Sequence, residues 1–208
     1  MPFVIQIIHI PLHLPKLILA LKKFCLPALT QNRYTIVSSF AAISFFLMAL
    51  QLRGQNFNDN NIKAAFLYNF THFIEWPVNA FTTAEAPLVI GILGIDPFNS
   101  LLDKKVSNET IKGRSIKVER YTDVRDIKTC HLLFISHSEI AKRKEIFDCL
   151  LNKNIVTVSD IPDFVTNGGM IGFVSKQSKI ILQINLSASK AADIQISSKL
   201  LQMAEIVR

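Results

Sequence analysis

Cys130, His131 and His137, with His72 further upstream, are the residues whose types could hold a metal ion or activate a nucleophile. Cys130 and His131 are neighbours on a predicted strand, so they point to opposite faces and do not form a shared ligand set. No metal site is expected. Ser136-His137-Ser138 falls at a strand end where a hydrolase could place its nucleophile, yet the chain has no Gly-x-Ser-x-Gly elbow. It reads as an exposed loop. Gly91-Ile92-Leu93-Gly94 lacks the Gly-x-Gly-x-x-Gly spacing that brings backbone against a pyrophosphate, so no dinucleotide cofactor is expected. Gly168-Gly169 more simply permits a tight turn.

Carboxylates offer a second chemistry. Asp96, Asp160 and Asp163 lie at or after predicted strand ends, where open α/β sheets bind ligands and a carboxylate pair can act as general acid and base. Pro97 follows Asp96 and Pro162 stands between the other two, which favours turn chemistry instead. Trp76 is the only Trp and stands where a helix meets Pro77. An exposed Trp anchors interfaces, which makes Trp76 and Pro77 the candidate partner-binding residues; a packed lid on the core is the competing reading.

The elements that must position these residues alternate between helix and strand. Asn58, Asp59 and Asn60 can cap a helix carrying Ile62, Ala65, Phe66, Phe70 and Phe73 at helical spacing, until Trp76-Pro77 stops it. Leu88 to Leu93 is a continuous apolar strand, followed by a short helix around Phe98 to Leu102. Ile116 to Tyr121 alternates as a half-exposed strand. His131 to Ser136 is a second buried strand, leading to a helix from about Glu139 to Leu151, and Ile155 to Ser159 is the next strand. Met170 to Val174 and Lys179 to Ile184 form a hairpin, and helical pieces over Ala188 to Asp193 and Ser197 to Val207 close the chain. The pattern predicts a three-layer α/β sandwich: a mixed, mostly parallel sheet flanked by helices, with a late antiparallel hairpin.

No acidic residue precedes Asp59, and Ile36 to Leu50 is an apolar core of signal-peptide length behind Lys22, Lys23 and Arg33. A membrane span needs about 20 apolar residues, so this run is short for one. Residues 1–54 are therefore expected to be an extension and a signal peptide, cleaved after Gly54, and 55–208 a single exported domain. The formal net charge of +7 and pI near 9.4 mostly describe the removed segment. From Gln55 onward 18 basic residues face 16 acidic ones, which excludes a nucleic-acid-binding domain. An oxidising compartment allows a disulfide between Cys130 and Cys149, which a strand-helix unit would bring to one side of the domain. Two separately buried thiols are the alternative.

The order of motifs resembles the YfiR family of periplasmic regulators. The resemblance runs through Lys63-Ala64-Ala65-Phe66-Leu67-Tyr68-Asn69-Phe70, Phe73-Ile74-Glu75-Trp76-Pro77, Gly91-Ile92-Leu93-Gly94-Ile95-Asp96-Pro97-Phe98 and Cys130-His131-Leu132-Leu133-Phe134-Ile135. It continues through Thr157-Val158-Ser159-Asp160, Gly168-Gly169-Met170-Ile171, Ile184-Asn185-Leu186 and Ser197 to Ala204. The resemblance implies a non-enzymatic, dimeric periplasmic protein that binds and represses an inner-membrane diguanylate cyclase, in a pathway with an OmpA-like outer-membrane lipoprotein. Release of repression would raise cyclic di-GMP and promote attachment and biofilm formation. Another membrane sensor, such as a histidine kinase, is an alternative partner. The family's better-known members carry a cysteine in the strand that here reads Leu88 to Leu93, which has none, so the family's disulfide pattern does not transfer. The competing function is a periplasmic small-ligand sensor or hydrolase using the strand-end carboxylates.

Overall fold

The computed structural model describes residues 59–177 and 179–207; the N-terminal extension, the apolar run and the expected cleavage point lie outside them. The first helix, α1, covers residues 59–73, and its buried positions Ala64, Leu67, Phe70 and Thr71 recur at three- and four-residue spacing. It gives way to β1 (Ile74–Glu75), one step before Trp76-Pro77. β2 (Leu88–Leu93) is buried along its whole length. Then follow α2 (Ser100–Val106), β3 (Thr110–Ile111), β4 (Arg114–Tyr121), β5 (Leu132–Ile135), α3 (Arg143–Leu150) and β6 (Val156–Ser159). β7 (Ile171–Lys176) and β8 (Lys179–Asn185) form the hairpin, and α4 (Leu186–Ala191), β9 (Gln195–Ile196), α5 (Ser198–Leu201) and β10 (Ala204–Val207) end the chain.

Eight strands make one sheet in the order β10-β8-β7-β6-β5-β2-β4-β3. Every neighbouring pair is parallel except β3 with β4 and the hairpin β7 with β8, so the α/β sheet is mixed and mostly parallel, with the antiparallel hairpin late in the chain. β1 pairs separately with β9, Ile74 opposite Ile196.

Strand alternation divides the interior into two layers. Ile90, Ile92, Leu132, Phe134, Val156 and Val158 belong to a core with Leu67 and Phe70 of α1, Leu102 of α2 and Leu200 of α5. Leu93, Leu133 and Ile135 belong to a second core with Ile146 and Leu150 of α3, Phe164 and Val165. Burying each such side chain is worth about 1.5–3 kcal/mol, which is why β2 and β5 read as unbroken apolar runs.

The end of the chain departs from expectation. Ser197 caps a helix as its side chain accepts from Leu200 N–H, but α5 lasts four residues and residues 204–207 run parallel beside β8 as a strand. Ile206 and Val207 are β-branched, and the ladder along Leu182 to Asn185 offers their backbone more than another helical turn would. The helix after β5 also starts later than expected, because His137–Lys142 forms a 3-10 segment before α3.

Candidate functional site

β2 is where the strand order reverses: the chain passes from β2 outward to β4, then returns to lay β5 on the other side of β2. Ligands of open parallel sheets sit beyond the strand C-termini at such a point. Here the position is filled by the protein itself. Gly94 lies at φ 89°, and a side chain there would strike Ser138 and Glu139. The Ser138 hydroxyl accepts from Ile95 N–H (3.0 Å) and donates to Glu139 Oε1 (3.1 Å), while Lys142 Nζ lies 3.1 Å from Glu139 Oε2. A hollow of about 120 Å³ remains beside Asp123, Arg125 and Glu139. Hydrogen bonds from the Arg125 side chain and backbone hold the Asp123 carboxyl well below the usual carboxylate range. Charges committed to one another in this way leave neither a poised base nor an unshielded nucleophile.

The strand-end carboxylates go to separate partners. Asp96 Oδ1 accepts from Phe98 N–H (2.7 Å) and Asn99 N–H (3.2 Å), a turn around Pro97, and its Oδ2 meets Arg120 Nε at 2.8 Å. Arg120 also grips Asp103 at 2.6 Å, and these two carboxylates, Asp103 foremost, push the guanidinium further above its already high range. Asp160 Oδ2 instead pairs with Lys63 of α1 at 2.5 Å, and its Oδ1 is buried without a partner. Asp163, at φ 56°, uses its carbonyl to accept from Thr166 and Asn167. The turn reading of Asp96 and Asp163 therefore holds, while Asp160 is an ion-pair residue whose cation, 97 positions away, no local pattern announced.

Trp76 is half-buried. Its indole N–H donates to the His131 carbonyl (2.9 Å) and its ring stands edge-on to the imidazole, with centroids 6.3 Å apart. Pro77 (φ −65°, ψ 156°) turns the chain into a short 3-10 segment, Val78–Ala80, and Val78 is 91% exposed. Phe81 stacks on His131 at 4.3 Å, with the Arg114 guanidinium 3.9 Å from the Phe81 ring centre. Arg114 ties the loop down further by donating to the carbonyls of Thr83 (3.0 Å) and Ala86 (2.8 Å). A hollow of about 70 Å³ beside Trp76 and Phe81 is far below the roughly 300 Å³ at which small-molecule sites begin, so the feature presented outward is a surface.

The three histidines among the described residues do not converge. His131 is a buried structural residue, His72 lies exposed against Tyr68, and His137 is exposed beyond β5. Among the described residues no group of His, Cys, Asp and Glu has the arrangement of a metal site. Cys130 and Cys149 do pack against the same core, as a strand-helix unit requires, but the expected bridge is absent and both are free thiols. The Cys130 sulfur is turned into the packing beside Gly91, Tyr121 and Leu133, donating weakly to the Leu132 carbonyl (3.3 Å), and burial pushes its pKa up to about 12. Among the described residues no helix is long and apolar enough to cross a membrane.

Residues 60–205 match the model of a family described as YfiR/HmsC-like. No curated protein matches the chain. A solved structure of a conserved domain protein from Vibrio cholerae O1 biovar El Tor is similar at 12% identity and a TM-score of 0.43, over 58% of this chain and 54% of that one. The chain thus spans about half the length of that protein.

Proposed function

The chain belongs to the YfiR/HmsC-like family, and from that premise we propose that it is an exported, periplasmic regulator that binds and represses a membrane diguanylate cyclase. It acts by occupancy, without chemistry on a substrate. The observation that carries this reading is the match over 146 residues to a family of regulatory, non-catalytic proteins. The commitment of Asp96 to Arg120 and of Asp160 to Lys63 supports it, because a hydrolase acting through these carboxylates would need them to share one substrate. An OmpA-like outer-membrane lipoprotein relieves the repression, and the regulator works as a homodimer.

Trp76-Pro77-Val78 is the proposed contact with the membrane partner. A half-buried Trp fixed by its indole N–H, followed by a rigid Pro and an exposed Val, presents apolar surface with little entropy left to lose on binding. Cross-linking in intact cells, through a photoreactive residue at Val78, tests the assignment. Recovery of a membrane cyclase on that residue is expected. Cross-links confined to other proteins would reject it.

A further inference from the structure

A cavity of about 270 Å³ opens past the N-terminal ends of β6 and β7, on the side of α3, away from both sites described above. Its size is close to the lower end of ligand pockets, about 300 Å³. Phe147, Leu150, Ile155, Met170, Ala188 and Ala192 wall it with apolar surface. Leu151, 72% exposed, stands at the mouth, so the pocket leaves a large aliphatic side chain in water that an occupant would cover.

The one charged side chain lining the pocket is a cation. Lys153 has no side-chain partner among the described residues, and it is flanked by Asn152, whose side-chain amide is equally unengaged. Thr157 is buried, and its oxygen accepts from Met170 N–H at 3.1 Å, which leaves its hydroxyl proton unspent. Lys153 can only give hydrogen bonds and carries charge, and Thr157 keeps a hydroxyl proton to donate. The complementary molecule has an apolar body and an anionic, acceptor-only head. An adjoining hollow along α3 has a mixed lining, Ile140, Ala141 and Phe147 together with Arg143, Lys144 and Asp148.

We propose that this cavity binds a small monocarboxylate with an aliphatic or aromatic body, its chain among Phe147, Ile155 and Met170 and its carboxylate at Lys153. Such a site would give the molecule a chemical input separate from its partner surface, and the inference does not depend on what Trp76 contacts.

Calorimetric titration of the purified protein with octanoate, octanol and octylammonium is the test, with amide NMR shifts to locate the ligand. Octanoate is expected to bind one per chain and to shift Ile155, Gly168 and Met170. Octanol should bind about tenfold more weakly, and octylammonium not measurably. Lys153→Glu, a change at an exposed position, should weaken octanoate about tenfold, and Ala191→Phe at the rim should block it while the remaining amide spectrum is retained. The proposal is overturned if octanoate fails to bind at millimolar concentration, if octanol binds as tightly, or if binding survives Ala191→Phe unchanged.

Discussion

His131 and Val89 are joined twice: the His131 backbone N–H donates to the Val89 carbonyl (2.9 Å), and the Val89 N–H donates to His131 Nδ1 (3.0 Å). The imidazole thus completes the start of the β2–β5 ladder with a side-chain acceptor. Because Nδ1 accepts, the ring proton sits on Nε2, which lies 3.1 Å from the Ala80 carbonyl and donates to it. The ring is neutral, in one tautomer, and clamped between Phe81 and Trp76.

Protonating this ring would cost the Val89 bond. Burial first, and the nearby Arg114 charge as well, hold the His131 pKa below its ordinary value of 6.5. The unfolded chain then binds more protons than the folded one below about pH 6.5, so stability falls as the solution is acidified through that range. The melting temperature should decline between about pH 7 and about pH 5, and His131→Gln should flatten the slope. The carboxylates held low by cations, such as Asp103, would act only at more acidic pH. Parallel melting curves for the two proteins would refute the assignment.

Alkylation should separate Cys130 from Cys149. Cys130 is buried with a thiol pKa near 12, whereas Cys149 is half-buried on α3. At mildly alkaline pH a thiol reagent is expected to label Cys149 alone, with Cys130 following only on unfolding. An intact mass two hydrogens light, unreactive until reduced, would show a bridge instead.

Gly91 carries a packing constraint. A Cβ there would lie 2.8 Å from the Cys130 sulfur, 2.8 Å from Tyr121 Cε2 and 2.9 Å from Leu133 Cδ1. Gly91→Ala should destabilise the protein by about 1–3 kcal/mol in denaturant titration, and adding Cys130→Ala should recover part of the loss. Additive losses in the double variant would mean that the contact is not the cause.

Val78 and Trp76 should part company when mutated. Val78, 91% exposed, holds nothing together, so Val78→Asp should leave the melting temperature unchanged and cut partner cross-linking. Trp76→Ala removes the bond to His131 and should lower both. Undiminished partner binding by Val78→Asp would move the contact elsewhere.

The layered α/β plan was legible because β2 and β5 are fully buried, and full burial wrote continuous apolar runs into both. β10 was not, since a four-residue edge strand after a helix capped by Ser197 carries the pattern of a helix until its partner β8 is known. The turn role of Asp96 was readable from Pro97. Its clamp by Arg120, the pairing of Lys63 with Asp160, and the placing of Phe81 on His131 join residues 24, 97 and about 50 positions apart, and no local spacing encodes such contacts. Glu139 stands at the expected helix start, but its burial beside Ser138 and the Gly94 turn has no local signal.

Cyclic di-GMP in a deletion strain, complemented by the intact gene or by Asp96→Asn with Asp160→Asn, tests the central claim most directly. Deletion should raise the nucleotide and surface attachment. Both genes should restore repression, provided the double variant is recovered folded from the periplasm. Unchanged cyclic di-GMP on deletion, or restoration by the intact carboxylates alone, would contradict a regulator that acts by binding.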